Sequence, residues 1–349
     1  MIQMAMTSQE RVVTTLQQHE PDRVPLFFPL TMHGASELDL SIQEYFAQPE
    51  TVVEGQLRML RKYRHDFLYT FFYAAVEIEA WGGDILYVDD GPPNAGQPFI
   101  RTPDQINTLA VPNVKDAPSL RRVLEATQQL RQRVGDSVPI IGVVMSPFSL
   151  PVMQMGFEHY IELLYEAPEL LKKLMVINEA FCIDWANAQL EAGATAIGYF
   201  DPVSSPTIIP RDMYEQTGFG VACRVLSQIN GPVAMLFASA HVQPTIDLIA
   251  QTGAALVGAS TSEDLADMKA ACQGRMTVVG NLNAIEMCRW SAAEAEAAVK
   301  QAIASAARGG GFILSDNHGE IPWQVPESVL LAIADAVEQW GTYPLEWLP

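Results

Sequence analysis

The sequence predicts a single α/β domain of the (β/α)8 (TIM) barrel class, and two observations carry that prediction. Eight short apolar runs of strand length alternate with segments of helix length, the signature of parallel βα units. Each run is near-continuous in apolar residues, as a strand requires when helices cover one face and a barrel interior the other. The chain of 349 residues suits one such barrel with additions, because about 250 residues build the barrel itself.

In chain order the runs are Val24 to Leu30, Phe67 to Phe72, Ile140 to Met145, Ala196 to Phe200, Val233 to Ala238, Ala255 to Gly258, Met276 to Gly280 and Phe312 to Leu314. The helices expected between them are Glu50 to Tyr63, Pro118 to Val134, Glu158 to Ala192, Arg211 to Gln228, Pro244 to Gln251, Ser262 to Cys272, Ala292 to Ala307 and Pro326 to Trp340. Ser291 followed by Glu294 forms a capping box, and Pro326 suits a first helical turn. Residues 1–20 read as a helical extension of the single domain 1–349. An insertion at about 77–102 carries Gly82-Gly83, Asp89-Asp90-Gly91-Pro92-Pro93 and Gly96, and is a candidate lid or hairpin.

Composition narrows the functions. Hydrophobic residues at 49% against 18% charged residues fill a large core. A net charge of -20, from 21 basic and 41 acidic residues, repels nucleic acid and anionic lipid, so neither is an expected partner. No apolar stretch approaches the ~18 residues of a membrane span, and the N-terminus lacks an export signal, so the expected address is cytoplasmic. Cys182, Cys223, Cys272 and Cys288 form no CxxC pair and read as structural thiols. GxGxxG after the first strand, the P-loop, GxSxG and HExxH are all absent.

In this architecture functional groups come from the C-terminal strand ends, where eight segments converge on one mouth. Strand one leads to Thr31-Met32-His33, strand two to Tyr73, strand three to Ser146-Pro147-Phe148 and strand four to Asp201. Strand five leads to Ser239 and His241, strand six to Ser260, strand seven to Asn281 and Asn283, and strand eight to Ser315, Asp316, His318 and Glu320. An imidazole and two carboxylates lie together in Asp316-Asn317-His318-Gly319-Glu320, a set that can hold an acid and a base. His318, Asp316, Glu320 and Asp201 are therefore the candidate catalytic residues. The alternative is that the carboxylates cap turns and His318 is structural. His33, Tyr73, Phe148, Ser239, Asn281 and Asn283 are candidates for binding substrate, although the two asparagines suit an Asx turn equally. His241 and His318, with a carboxylate, offer nitrogen and oxygen ligands for a divalent metal.

Several segments resemble the uroporphyrinogen decarboxylase superfamily, a barrel family that includes corrinoid-linked methyltransferases. They are Pro21-Asp22-Arg23-Val24-Pro25, Glu79-Ala80-Trp81-Gly82, Ser146-Pro147-Phe148-Ser149-Leu150, Glu191-Ala192-Gly193-Ala194 with Phe200-Asp201, Gln251-Thr252-Gly253-Ala254, Gly280-Asn281-Leu282-Asn283, and His318-Gly319-Glu320-Ile321-Pro322 with Val325-Pro326-Glu327. The resemblance spans nearly the whole chain. It also shows departures. The decarboxylases bind a polycarboxylate porphyrinogen through arginines after strand one, and Pro29-Leu30-Thr31-Met32-His33-Gly34 has none. Their central aspartate falls on Tyr73, their tyrosine and serine near Met153 and Pro202, and their histidine on His318. The methyltransferase branch holds zinc through His-x-Cys and a later Cys, which fall on Phe237, Ser239 and, within one residue, His318.

The N-terminal segment, from Arg23-Val24-Pro25 through His33-Gly34-Ala35 with Tyr45 and Gln56, resembles that branch more closely. The resemblance thus implies a methyltransferase that moves a methyl group from a small or aromatic ether or amine to a corrinoid protein. It allows a divalent metal such as zinc, bound through oxygen and nitrogen. Decarboxylation of a porphyrinogen-like or smaller carboxylate is the alternative, and a non-catalytic barrel that binds a tetrapyrrole or a corrinoid protein is the third.

Overall fold

A computed structural model describes residues 5–348. Seven parallel strands form one curled sheet in the order β1 (Leu68–Tyr69), β4 (Ile140–Met145), β5 (Ala196–Phe200), β6 (Val233–Leu236), β7 (Leu256–Gly258), β8 (Thr277–Leu282) and β9 (Phe312–Asp316). β2 (Ile85–Val88) and β3 (Gly91–Ala95) pair antiparallel as a separate hairpin. Strand order in the large sheet equals chain order, with a helix crossing over between successive strands, which is the barrel connectivity.

The eighth stave differs from the expected strand Val24 to Leu30. Only Leu26 bridges Leu314 in parallel, yet this short segment closes the ring. Phe27 N donates to Leu314 O at 2.8 Å, Leu314 N to Pro25 O at 2.9 Å, and Asp66 N to Leu26 O at 2.8 Å. Pro25 and Pro29 lack the N–H groups that a longer ladder would need. The second run shortens to Leu68–Tyr69, and the fifth stops at Leu236 because Ala238 and Ser239 turn to φ 49 and 69°.

The helices follow the expected sites with breaks that local chemistry explains. The single helix Glu158 to Ala192 is two, Phe157–Glu166 and Pro168–Ala192, because Pro168 cannot donate to the preceding turn. Arg211 to Gln228 likewise divides at Thr217 into Arg211–Gln216 and Gly218–Leu226. The Ser291–Glu294 capping box forms in full. In the N-terminal extension, whose first four residues lie outside the described ones, Ser8–Leu16 is helical. Asp66 anchors this helix by pairing with Arg11 at 2.6 Å and with Arg23 at 2.8 Å. Among the described residues no helix is long and apolar enough to cross a membrane.

The pleat sorts strand residues by parity. Ile141, Gly198, Leu236, Val279, Ile313 and Ser315 turn to the interior, while alternate residues such as Tyr199 and Leu314 pack outward under the helices. The hairpin is tied to the mouth by Tyr87, whose hydroxyl lies 3.3 Å from that of Tyr73, and by Gln324, which donates to Asp90 O at 2.8 Å.

Candidate active site

β9 runs directly into the Ser315 to Glu320 segment. Asp316 is buried and accepts the backbone N–H groups of His318 at 2.9 Å and Gly319 at 3.0 Å, so it shapes the turn. Burial pushes its carboxyl above the usual range, against the opposing pull of the His318 imidazole and these N–H groups. Gly319 sits at φ +94°, where a Cβ would stand 2.5 Å from Phe200, so only glycine fits. The turn leaves the His318 side chain exposed at the mouth. Glu320, half-buried on the far side of the turn, accepts the Thr31 hydroxyl at 2.5 Å. Burial pushes it up to about 7 despite that hydrogen bond, and the nearby Asp316 adds to the rise. A carboxyl of that kind is partly protonated near neutral pH and can donate a proton.

Beside this turn a small mouth pocket of about 20 Å³ is lined by Ser239, Ser260, Asp316, Asn317 and His318 over Phe27, Leu236 and Val279. Asn317, which the sequence reading passed over, is the hub. Its Nδ2 donates to Ser239 Oγ at 2.9 Å, its Oδ1 accepts Ala284 N at 3.1 Å, and its carbonyl accepts Ser239 N at 3.1 Å. Asn281 Nδ2 donates to Ser260 O at 2.9 Å, and Ser260 Oγ to Ser239 O at 2.7 Å. Counting by twos would have found Asn317, because Ile313, Ser315 and Asn317 share a face.

Other expected site residues lie elsewhere. Asp201 is sealed behind β5, where it accepts Ser146 Oγ at 2.5 Å and Ser149 Oγ at 2.8 Å, and burial pushes its carboxyl up. Phe148 is fully buried against Tyr160, with ring centroids 5.9 Å apart. The Tyr73 hydroxyl donates to Glu79 at 3.0 Å, in a group that Arg122 joins to tie the strand end to the hairpin. Asn283 caps the short helix Ala284–Met287 by accepting Ile285 N and Glu286 N at 3.2 Å. His33 is buried beside Trp323, and burial pulls it down to about 4 against the opposing effect of the Pro322 backbone.

His241 lies 3.1 Å from Glu263, a carboxylate already accepting the backbone N–H groups of Val242, Gln243 and Ser260. Among the described residues no three His, Cys, Asp or Glu side chains converge to hold a metal ion. With Phe237 and Ser239 standing where the methyltransferase branch has His-x-Cys, the residues present do not fit that zinc site.

A family model described as uroporphyrinogen decarboxylase (URO-D) matches residues 7–340. A uroporphyrinogen decarboxylase from Cellvibrio japonicus is 26% identical over 310 residues, covering 84% of this chain and 85% of its own. One from Xylella fastidiosa is 24% identical over 365 residues, with coverage of 96% and 99%. Among solved structures, a methyltransferase from Methanosarcina mazei superposes with a TM-score of 0.86 at 22% identity, covering 96% of this chain and 99% of that one. Matched from the N-terminal helix to the last helix, and built on the same barrel, the chain belongs to the uroporphyrinogen decarboxylase (URO-D) family.

Proposed function

We propose that this chain is a methyltransferase that takes the methyl group of a small or aromatic methyl ether and passes it to a corrinoid carried by a partner protein. The observation that supports the reading is a proton donor at a mouth without cations. Glu320, pushed up to about 7, stands on the turn that lines a pocket in which no Lys or Arg takes part. A methyl ether resists cleavage because its oxygen would leave as an alkoxide or phenolate. An acid at that oxygen lets it leave as a neutral alcohol or phenol.

When the ether C–O bond breaks, the reduced corrinoid of the partner protein would supply the electron pair that takes up the methyl carbon. The proton of Glu320, behind the turn, reaches the departing oxygen through His318, whose side chain is exposed at the mouth. Asp316 positions His318 through the turn, and Ser239, Asn281 and Asn317 offer neutral polar groups to orient the donor. The pocket, at about 20 Å³ over Phe27 and Leu236, takes only the methoxy end of the donor.

The curated relatives bear the name uroporphyrinogen decarboxylase, so decarboxylation is the competing reading. A polycarboxylate calls for cationic partners, and no Lys or Arg lines this pocket. The test incubates the protein with a reduced corrinoid protein and a panel of methoxylated aromatics, and follows the corrinoid absorbance. Methylation is expected, slowed about a hundredfold or more by His318→Ala. Turnover of uroporphyrinogen, with the ether panel silent, would overturn the proposal.

A further inference from the structure

The barrel encloses a second space at the end opposite the mouth. A cavity of about 120 Å³ lies between the barrel floor and the helix Ser8–Leu16, which covers it with Val12, Val13 and Leu16. Phe27, Leu236 and Val279 line both this cavity and the mouth pocket, so one layer of side chains divides them.

The void has a cause in the sequence. Interior layers of such barrels are usually filled by bulky branched residues. At this level Ala196, Gly198 and Ala234 line the space instead. Gly198 is not forced by packing, because a Cβ there would meet Leu236 and Val143 side chains at 3.4 Å, within van der Waals contact. Nor does it adopt a left-handed backbone; it pairs in register within a regular parallel ladder. Its missing side chain leaves room.

Of the two polar residues in the lining, Thr195 is satisfied by the Ile140 backbone and Gln9 is not. Gln9 lines the cavity, and its Oε1 is shielded from solvent without a hydrogen-bond donor. A buried acceptor left unpaired is costly, and a ligand bearing a single donor would satisfy it. The volume approaches that of the ~150 Å³ apolar cavity that admits benzene in another protein.

We propose that the floor cavity binds a small, uncharged, mainly apolar molecule with one hydrogen-bond donor, such as a simple phenol. The site lies beneath the shared Phe27, Leu236 and Val279 layer, includes none of the polar groups of the proposed methyl transfer, and stands whether or not that reading holds.

Phenol and benzene, titrated against the full chain and followed by calorimetry, test it. Saturable binding is expected for both, with phenol about fivefold tighter through the Gln9 hydrogen bond. Ala234→Leu fills the cavity from the strand side and Val13→Phe from the helix side. Each variant that keeps a native circular-dichroism spectrum should lose binding at least ~10-fold. Gln9→Met should retain benzene and erase the preference for phenol. If neither filled variant folds, a crystal of the native protein soaked in phenol locates the ligand. Lack of binding to the native chain, binding unchanged by filling, a phenol preference that survives Gln9→Met, or soaked phenol found at the mouth alone would each overturn the proposal.

Discussion

Asp201 closes β5 and Asp316 closes β9, each at the end of an apolar run, each buried and each raised by that burial. By strand parity both fall on the outward side, yet Asp316 reaches the mouth pocket and Asp201 does not. They differ in what they hold. Asp201 accepts the hydroxyls of Ser146 and Ser149 from the neighbouring strand's loop, so it locks two loops together inside the helical layer. Asp316 accepts N–H groups of its own turn, so it bends the chain and carries His318 to the mouth and Glu320 to Thr31. Position at a strand end thus does not tell the two carboxylates apart; the source of their partners does.

The largest effect expected from this contrast is on Glu320→Gln. Removing the proton donor should lower the methyl-transfer rate by two orders of magnitude or more while leaving the fold intact. In the native enzyme the donor is lost as pH rises through about 7, so the rate should fall on that limb and Glu320→Gln should flatten it. A native profile that rises across pH 6 to 8 would remove Glu320 from the acid's role.

Next comes Glu77, a second sealed carboxylate. It accepts Met145 N at 2.9 Å where β1 has already left the ladder, its other oxygen lacks a partner, and burial raises it to about 8. The folded chain keeps this proton up to about 8, whereas the unfolded chain releases it near the ordinary value of 4.5. Its contribution is therefore full below about 4.5 and is lost as pH rises through about 8. Glu77→Gln keeps the hydrogen bond and carries no charge, so it should be the more stable chain at pH 8, by up to a few kcal/mol in denaturant unfolding.

Asp201→Ala should cost about 2 kcal/mol, because it leaves the Ser146 and Ser149 hydroxyls buried without their acceptor. The folded fraction should turn over at the native rate. A hundredfold loss of rate at unchanged stability would erase the distinction between the two aspartates.

What could be read from the sequence follows the same line. Continuous apolar runs locate β4 to β9, because burial on both faces leaves a strong local signal. The first stave is obscured by Pro25 and Pro29, and it holds its place through five backbone hydrogen bonds to distant residues. At the site, the Asp316 to Glu320 cluster was visible because its members are neighbours in the chain. The Thr31 hydrogen bond to Glu320 and the Asn317 bond to Ser239 join residues 289 and 78 positions apart, which no local pattern reveals. Asn317 was nonetheless reachable by parity, whereas that count treats Asp201 and Asp316 alike and does not separate them.

Asn283 provides the smallest test. It stands two residues beyond Asn281, and the strand count alone would turn both inward. The chain leaves the strand at Leu282, however, and Asn283 becomes the cap of Ala284–Met287, with its side-chain oxygen shared between Ile285 N and Glu286 N. Asn283→Ala should therefore cost about 1 kcal/mol in unfolding and leave KM for the methyl donor unchanged. Asn281 keeps its Nδ2 on Ser260 O within the mouth network, so Asn281→Ala should raise KM with a smaller change in stability. If Asn283→Ala raised KM with stability untouched, strand parity would extend beyond the last ladder residue and the mouth would be wider than this network.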